Sequence, residues 1–329
     1  MRSKIRVGIT GVGSLLGQGI VRALKKSRVN HASVGLCLDK YSTGLYWTDE
    51  YSYIYPAKDA NYIEHLIYTI LQKNIDILLI GTDVELPKIA AHKWLIEQKT
   101  GAKVLISSAD LVSVADDKYL TANFFKHHGV PYVRSTIPGH EPAGENQLKE
   151  FDFPLIVKPR QGARSKGVLV VDNAEDLKSA VAKTPNPVIQ EHLGDSEHEY
   201  TASAIYFDGL CRAHIVMRRH LRDGNTYRAF VEQGDYFSGY VQKWCEIAKP
   251  FGPINFQFRC DGSGVPKVFE INARFSGTTP LRALAGFNEV EMCVNYLAFG
   301  QQVEQPLIES LVLLRHWEET AINVRDLLP

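Results

Sequence analysis

The sequence predicts a mixed α/β and α+β protein in which a parallel sheet is followed by two further units. Three observations support this prediction. The 329 residues exceed the usual size of one domain. Strands alternate with helices as far as residue 106, and strands with alternating apolar and polar residues dominate the last third. We therefore expect domains at 1–115, 116–201 and 202–329.

The first domain is predicted to be a parallel sheet covered by helices. We expect strands at 5–10, 33–38, 76–81 and 103–106 and helices at 17–27 and 60–73, because apolar strands that alternate with helices are typical of parallel sheets. Thr82, Asp83 and Glu85 follow the third of these strands, where open α/β sheets bind ligands. Capping of the next helix is their alternative role.

A glycine-rich turn connects the first strand to the first helix. Gly11, Gly13 and Gly17 have the spacing GxGxxxG, and Asp39 ends the second strand, so the segment fits a dinucleotide-binding fingerprint. The same glycines would also allow the helix and strand to pack closely, with the helix N-terminus open to an anion. A short-chain sugar-nucleotide oxidoreductase also needs a tyrosine with a lysine four residues later, and none of the fifteen tyrosines has one.

The second unit is predicted to be a small α+β lobe. Asp116 or Asp117 can cap a helix that ends near His127, and a loop rich in proline and glycine follows at 135–150. Strands are expected at 155–159, 167–171, 188–191 and 199–207, with a helix at 174–183. Lys158 is the only charge in the first of these strands, and a phosphate is its obvious partner.

The loop at 160–168 has two glycines and three cations, so its N–H groups and charges could enclose a polyphosphate. It lacks the GxxxxGK[ST] spacing of a Walker loop, and an ordinary basic hairpin turn is the alternative.

The last third contains a hairpin with one polar face. Asn255 and Gln257 alternate with phenylalanines, a glycine-rich turn follows at 261–264, and Glu270, Asn272 and Arg274 alternate with Phe269, Ile271 and Ala273. A carboxylate and amide oxygens suit a Mg²⁺ bound chiefly through phosphate oxygens and water, and the guanidinium suits a phosphoryl group. A solvated amphipathic hairpin is the alternative. Helices are expected at 279–299 and 318–327.

The amino-acid composition gives no indication of nucleic acid or a membrane as a binding partner. Thirty-seven basic residues balance thirty-seven acidic ones, so no long-range field favours nucleic acid or an anionic membrane. The five cysteines are scattered, as expected for reduced thiols in a cytosol. No apolar run reaches membrane-spanning length, so we expect a cytoplasmic protein that acts on small molecules, and the oligomeric state stays open.

The order of these motifs resembles the ATP-grasp ligases, specifically relatives of the carbamoyl-phosphate synthase large subunit. The resemblance rests on a lysine before a capped helix, the run FPLIVKP, the glycine-rich loop, the run VIQEHL, an acidic strand start, and NFQ followed by FEINARFSGTT. It extends from the glycine-bearing first domain to about residue 300. It implies an ATP-grasp fold whose N-terminal domain is Rossmann-like and holds no dinucleotide.

The resemblance also implies a role for each motif residue. Lys118 and Lys158 would contact ATP phosphates, and Arg274 would lie beside the transferred phosphoryl group as the catalytic residue. The remaining contacts to ATP would come from Gly162, Ser165, Lys166 and Gly167 of the closing loop, from Glu191 and Leu193 at the adenine, and from Glu199 at the ribose. One or two Mg²⁺ ions, or Mn²⁺, would be held by Gln257, Glu270 and Asn272.

The implied activity is an ATP-dependent carboxylate–amine or ammonia ligase that forms an amide through an acyl phosphate. Possible substrate contacts are Asp83, Glu85, Arg219, Ser276, Gly277 and Thr278; helix capping is the alternative for the last three. The sequence identifies neither the carboxylate nor the amine. Two other functions stay open: an NAD-dependent sugar-nucleotide oxidoreductase or epimerase, and a non-catalytic ATP-binding regulator.

Overall fold

The computed structural model describes residues 4–139, 151–162, 166–194, 198–232 and 234–327. Within these ranges the strands form sheets of five, four and six strands. The mixture of one parallel and two antiparallel sheets agrees with the predicted class. The proposed domain limits stay a prediction.

The five-stranded sheet is parallel and has the order β3-β2-β1-β4-β5. Its strands are β1 (Ile5–Thr10), β2 (His31–Cys37), β3 (Glu50–Tyr53), β4 (Ile77–Leu79) and β5 (Lys103–Leu105). Helices α1 (Leu15–Lys25), α2 (Tyr62–Gln72) and α3 (Leu86–Thr100) cover its faces. The sequence did not predict α3, because it buries little beyond Leu86, Ile89 and Ile96 and its apolar pattern is correspondingly weak.

Two helices lead from this sheet into the four-stranded sheet: α4 (Ala109–Asp116) and α5 (Lys118–His127). Asp117 caps α5, as expected, and its Oδ1 accepts from the backbone N–H groups of Tyr119 and Leu120. The antiparallel sheet has the order β6-β9-β7-β8, with β6 (Ser135–Thr136), β7 (Leu155–Pro159), β8 (Leu169–Val171) and β9 (Pro187–Glu191). Helix α6 (Ala174–Lys183) packs on it through Leu177 and Ala180.

The six-stranded sheet is antiparallel and has the order β14-β13-β10-β11-β12-β15. Its strands are β10 (Glu199–Phe207), β11 (Leu210–Arg222), β12 (Asn225–Phe230), β13 (Gly252–Cys260), β14 (Pro266–Asn272) and β15 (Val312–Leu314). Helices α7 (Ser238–Ala248), α8 (Thr279–Leu284) and α9 (Glu289–Phe299) accompany it. Strand β10 lies wholly in this sheet, although the sequence suggested that its first residues belong to the smaller lobe.

The predicted hairpin is β13–β14, and it contains one irregularity that the sequence did not indicate. Gln257 pairs with Glu270, whereas the next residue, Phe258, pairs with Val268. Phe269 is therefore the extra residue of a β-bulge. Val268 and Ile271 face the core. The sequence predicted that Phe269 shares the apolar face of Ile271 and Ala273, and the bulge shows that it does not.

One large core joins the parallel sheet to the six-stranded sheet. It contains Val7 and Ile9 of β1, Ile205 of β10 and Val290 of α9. Helix α1 approaches α8 closely, because a Cβ at Gly19 would lie 3.1 Å from the Cδ of Pro280. The first domain is consequently packed against the sheet that contains the hairpin.

The prediction of a helix at 318–327 is wrong. The segment contains only a 3₁₀ turn, at Val324–Asp326, and none of the residues in that turn is buried. A short helix that packs against nothing is marginal in water, which explains the difference. None of the helices in the described ranges is both long and apolar enough to cross a membrane.

Candidate active site

A cavity of about 170 Å³ lies between the four-stranded and six-stranded sheets. Nine residues that the sequence assigned to the nucleotide and metal line it: Lys118, Lys158, Gly162, Lys166, Glu191, Leu193, Glu199, Gln257 and Glu270. Gly167 follows in the same loop with a φ of +73° and does not line the cavity. Ser165 lies outside the described residues. Residues from distant parts of the chain thus converge on one cleft.

Two lysines form the cationic side of this cavity. The side chain of Lys158 is almost buried on β7, and its Nζ makes no hydrogen bond to the residues that the structure describes. Burial, followed by the charge of Lys118, lowers the pKa of Lys158 to about 8. Lys118 Nζ donates to the carbonyl oxygens of Gly162 at 2.9 Å and Arg160 at 3.3 Å. A bound phosphate would stabilise the charged form of Lys158.

Glu199 is the buried carboxylate of the cavity. Its Oε1 accepts from Arg219 at 2.7 Å, and its Oε2 accepts from Arg259 at 2.8 Å. Burial alone would raise the pKa of Glu199, but the two guanidinium charges hold it below its usual range. Glu199 is therefore ionised and fixed in position, and each of its oxygens already accepts two hydrogen bonds, from Nε and Nη2 of Arg219 or of Arg259.

Glu191 links β9 to neighbouring segments. Its Oε1 accepts from the backbone N–H of Arg134 at 2.9 Å and from Lys267 Nζ at 3.1 Å, while its Oε2 accepts from Arg134 Nε at 2.9 Å. Since these donors occupy the carboxylate, a planar base would contact the backbone that continues to Leu193, whose carbonyl oxygen also accepts from Arg259 Nη1 at 3.1 Å.

The three residues assigned to the metal lie side by side. Glu270 Oε1 accepts from Gln257 Nε2 at 3.0 Å and from Asn272 Nδ2 at 3.1 Å. Gln257 Oε1 accepts from Arg219 Nη2 at 2.6 Å. The described residues contain no cluster of three His, Cys, Asp or Glu side chains arranged for a metal. One carboxylate and two amide groups fit a single Mg²⁺ that takes its other ligands from phosphate and water.

A second, larger cavity of about 730 Å³ adjoins the first. Glu270, Gln257 and Arg219 line both cavities, so the two share a wall. The larger cavity is also lined by the other predicted residues Asp83, Asn272, Arg274, Ser276, Gly277 and Thr278. The site assigned to the acceptor substrate is thus next to the site assigned to the nucleotide.

Glu85 does not line either cavity, although the sequence placed it among the substrate contacts. It is 5% exposed, and its carboxylate accepts from the hydroxyls of Thr10, Tyr62 and Thr82 at 2.6–2.7 Å. The 3₁₀ turn Asp83–Glu85 directs this side chain inward. Glu85 therefore braces the ends of β1 and β4 behind the cavity wall.

Arg274 connects the first domain to the hairpin. Its Nε donates to Asp83 Oδ1 at 2.6 Å, and its Nη1 donates to the carbonyl oxygen of Phe275 at 2.9 Å. The loop after it is held by Arg282, whose Nη2 donates to Ser276 Oγ at 2.9 Å. Thr278 precedes α8, but its side chain does not cap the helix and bonds to Ser276 and Arg282 instead.

Comparison with known proteins agrees with this architecture. Residues 183–319 match the family model described as ATP-grasp in the biosynthetic pathway with Ter operon. The N5-carboxyaminoimidazole synthetase of Staphylococcus aureus, solved with ADP, superposes with a TM-score of 0.74 at 16% identity over 93% of this chain and 81% of its own.

The chain has the ATP-grasp fold.

A further relative supports the resemblance to ATP-grasp proteins of the carbamoyl-phosphate synthase type, which is confirmed. A carbamoyl-phosphate synthase of Methanobrevibacter smithii is 27% identical over 244 residues, which are 69% of this chain and 65% of the relative. This chain thus spans just under two thirds of that relative's length. The biotin carboxylase domain dimer of Hydrogenobacter thermophilus 2-oxoglutarate carboxylase, solved with MgADP and bicarbonate, has a TM-score of 0.72 at 16% identity over 94% of this chain and 73% of its own.

In the glycine turn between β1 and α1, neighbouring residues of the chain pack directly against the glycines. A Cβ at Gly17 would clash with the carbonyl oxygen of Gly11, so the glycines allow β1 and α1 to approach closely. Ser42 lies directly over Gly13, and Gly44 lies against the backbone of Val12. The surface on which a dinucleotide would rest is therefore covered, which supports the packing role that the sequence left open.

Phe269 and Arg315 are among the residues of the cleft that the sequence did not assign to the site. The bulge directs Phe269 into the smaller cavity, where its ring centroid is 5.5 Å from Lys158 Nζ. Arg315 lines the larger cavity directly after β15. No signal indicated Phe269, whereas an arginine directly after the apolar run 311–314 could have drawn attention to Arg315.

Proposed function

We propose that this protein is an ATP-dependent ligase that joins a small-molecule carboxylate to an amine or ammonia through an acyl phosphate. The observation that supports this most is the shared wall between the two cavities. Glu270 and Lys118 belong to the lining of both, with Lys158 on the nucleotide side and Arg274 on the acceptor side. A nucleotide and an acid bound on either side would meet at that wall.

The proposed chemistry requires positioning and charge neutralisation, and no side chain acts as a nucleophile. An oxygen of the acceptor carboxylate attacks the γ-phosphorus of ATP, the bond to the β-phosphate oxygen breaks, and ADP leaves. The amine nitrogen then attacks the acyl carbon, phosphate departs, and the nitrogen gives up a proton. Lys118, Lys158 and Arg274 would neutralise the phosphate charge.

A Mg²⁺ held through Glu270, with Asn272 and Gln257 beside it, would supply charge neutralisation at the phosphate oxygens. The residues of this chain would do the rest: Glu199, which accepts from Arg219 and Arg259, would contact the ribose, and the backbone at Leu193 would contact the base. We further propose that the protein acts in the cytoplasm. Since the H. thermophilus domain is a dimer, homo-oligomerisation of this chain is also a proposal.

ADP release in the presence of MgATP and a panel of carboxylates and amines tests the proposal. We expect release that requires both a carboxylate and an amine, and we expect Glu270→Gln to abolish it while the protein stays folded by circular dichroism. Glu246→Gln, an exposed carboxylate remote from both cavities, is the matched control. Tight ATP binding with no turnover would favour a regulator, and NAD binding without ATP binding would favour an oxidoreductase; either would reject the ligase.

A further inference from the structure

Arg315 lies in the acceptor cavity, with no acidic partner among the residues that the structure describes. Its Nη2 donates to the carbonyl oxygen of Gly277, and its backbone N–H donates to the carbonyl oxygen of Tyr227 at 3.0 Å. Within the described ranges no carboxylate lies within 4.0 Å of its guanidinium. The described residues thus engage one of the five N–H donors of the guanidinium.

The surroundings of Arg315 disfavour its positive charge unless an anion lies nearby. Burial, followed by the charge of Arg22 on α1, lowers the pKa of Arg315 to about 10. Arg22 itself lies over the Trp47 ring, with its Cζ 4.8 Å from the ring centroid, and has no carboxylate partner among the described residues. Two neighbouring guanidinium groups without a counter-ion are unfavourable in a partly buried position unless a ligand supplies one.

The acids of the same cavity are already engaged elsewhere. Asp83 accepts from Arg274, Asp116 accepts from Gln161 Nε2 at 2.6 Å, and Glu270 belongs to the metal set. The cavity near Arg315 is bounded instead by the loop at Gly277 and by the first residues of α1, whose first turn contains no acidic residue. The partial positive charge of that helix end has the same sign as the guanidinium.

We propose that Arg315 binds an anionic group of the acceptor substrate other than the carboxylate that is phosphorylated. The acceptor is then a small acid with a second carboxylate or a phosphate, since either would neutralise the guanidinium and could accept two of its hydrogen bonds. The role as an acceptor contact rests on the proposed ligase function. The anion site itself does not.

Anion binding to the protein saturated with Mg²⁺ and the non-hydrolysable ATP analogue AMP-PNP tests this proposal directly. The analogue occupies the phosphate positions of the nucleotide, so that added inorganic phosphate or succinate reports on a separate site. By calorimetry we expect both anions, or one of them, to bind the wild type, and Arg315→Met to weaken that binding at least tenfold. The better binder identifies the second group as phosphate or carboxylate.

The matched control is Arg228→Met, which removes an exposed arginine on β12 that pairs in register with Leu314 and lines neither cavity. It should bind both anions as the wild type does. Arg315→Met removes a half-buried charge that has no carboxylate partner among the described residues, so its unfolding midpoint should equal or exceed that of the wild type. Arg315→Lys should retain part of the affinity. Equal anion affinity in the wild type and Arg315→Met, or no anion binding by the wild type, would overturn the proposal.

A second measurement separates this proposal from the ligase function. Arg315→Met should bind AMP-PNP with unchanged affinity, because Arg315 does not line the nucleotide cavity. In the ADP-release assay, succinate should stimulate the wild type more than propionate does, and that preference should disappear in the variant. Failure of the wild type to bind AMP-PNP would reject the ligase, whereas the comparison of phosphate binding between wild type and variant would still decide the role of Arg315.

Discussion

Arg219 bridges Glu199 and Gln257 at the wall shared by the two cavities. Its Nη2 donates to Glu199 Oε1 at 2.7 Å and to Gln257 Oε1 at 2.6 Å, and the residue is 7% exposed. A fixed cation therefore lies on the side of Gln257 that faces away from Glu270. The negative charge in the proposed metal site comes from Glu270 alone, which favours one divalent ion over two.

The first prediction concerns the number of metal ions. Electron paramagnetic resonance titration of Mn²⁺ in the presence of excess ADP should give one protein-bound ion per chain. Glu270→Gln should weaken that binding at least tenfold, because it removes the only carboxylate among the three proposed ligands. Asp326→Asn, which changes an exposed carboxylate near the end of the chain, should leave the titration unchanged. Two bound ions of similar affinity would contradict the single-ion site.

The second prediction concerns the pairing of Glu199. Arg219→Met should destabilise the protein by roughly 2–4 kcal/mol at pH 7, since it leaves a buried carboxylate with Arg259 as its remaining partner. The pKa of Glu199 is held below its usual 4.5, so the stabilisation is present above pH 4.5 and is lost as the pH falls below that value. Urea denaturation should therefore show a gap between wild type and variant that narrows on acidification below pH 4.5.

Arg218→Met is the control for this prediction. Arg218 is the neighbouring residue on β11 and pairs with the exposed Glu232, so its removal should cost less than about 1 kcal/mol. A gap between wild type and Arg219→Met that stays constant from pH 7 to pH 3 would show that the guanidinium does not stabilise the ionised form of Glu199.

The third prediction concerns the buried ammonium of Lys158. Its pKa of about 8 lies below the ordinary 10.5, so between pH 8 and 10.5 the unfolded chain binds more protons than the folded one. This group therefore makes the free energy of unfolding rise with pH across that window. Lys158→Met should remove the rise and stabilise the protein by roughly 1–3 kcal/mol at pH 7, as measured by urea denaturation.

The same lysine should make nucleotide binding depend on pH in the opposite direction. ATP affinity measured by calorimetry should fall as the pH rises above 8, because the neutral amine no longer attracts phosphate. ATP binding should be lost in Lys158→Met. Lys183→Met, at an exposed position on α6, should show neither effect. Parallel stability profiles for the wild type and Lys158→Met would remove the basis for both expectations.

The parts of the fold that follow from local periodicity could be predicted from the sequence. The alternation of β1, α1 and β2 indicated the parallel sheet, and the period of two along β13 indicated the polar face with Gln257. The bulge at Phe269 could not be predicted, because one extra residue leaves the apolar count of the strand unchanged. Only pairing with β13 shows that Phe269 joins Glu270 on the cavity side.

The parts of the site that depend on residues distant in the chain could not be predicted from the sequence either. An acid in the first turn after a strand is typical of a ligand contact or a cap, and nothing local shows that Glu85 is buried against Thr10 and Tyr62. The charge of Arg315 is significant only because Arg22 lies beside it and no carboxylate of the described residues does. Such properties arise from packing between elements that are far apart in the chain.

The fourth prediction concerns the contact between Asp83 and Arg274. Asp83→Asn should change stability by less than about 1 kcal/mol, because the Asp83 side chain is 47% exposed and such pairs contribute little. It should lower kcat at least tenfold with KM for ATP unchanged, since Arg274 loses the anchor that holds it at the shared wall. Steady-state kinetics check this, and Asp326→Asn again serves as the control. An unchanged kcat would show that Asp83 does not position Arg274.

The fifth prediction concerns the ion pair beneath the loop that contains Ser276. Arg282 Nη2 lies 2.5 Å from Glu289 Oε1, both side chains are fully buried, and the hydroxyls of Ser203 and Thr279 also donate to Glu289. Arg282→Met should cost roughly 3–5 kcal/mol in urea denaturation, because it leaves that carboxylate buried without a counter-charge.

Replacing both partners should cost less than the sum of the single changes. The double variant Arg282→Met/Glu289→Met contains no unpaired charge at this position. Its cost should be small, because buried ion pairs are often no more stabilising than apolar residues of similar volume. A double-mutant cycle should therefore give a coupling of roughly 1–3 kcal/mol. Strictly additive costs would mean that Arg282 acts through Ser276 and Thr278 independently of Glu289. In that case the loop of the acceptor cavity would be held by hydroxyl contacts, and Glu289→Gln would leave acceptor KM unchanged.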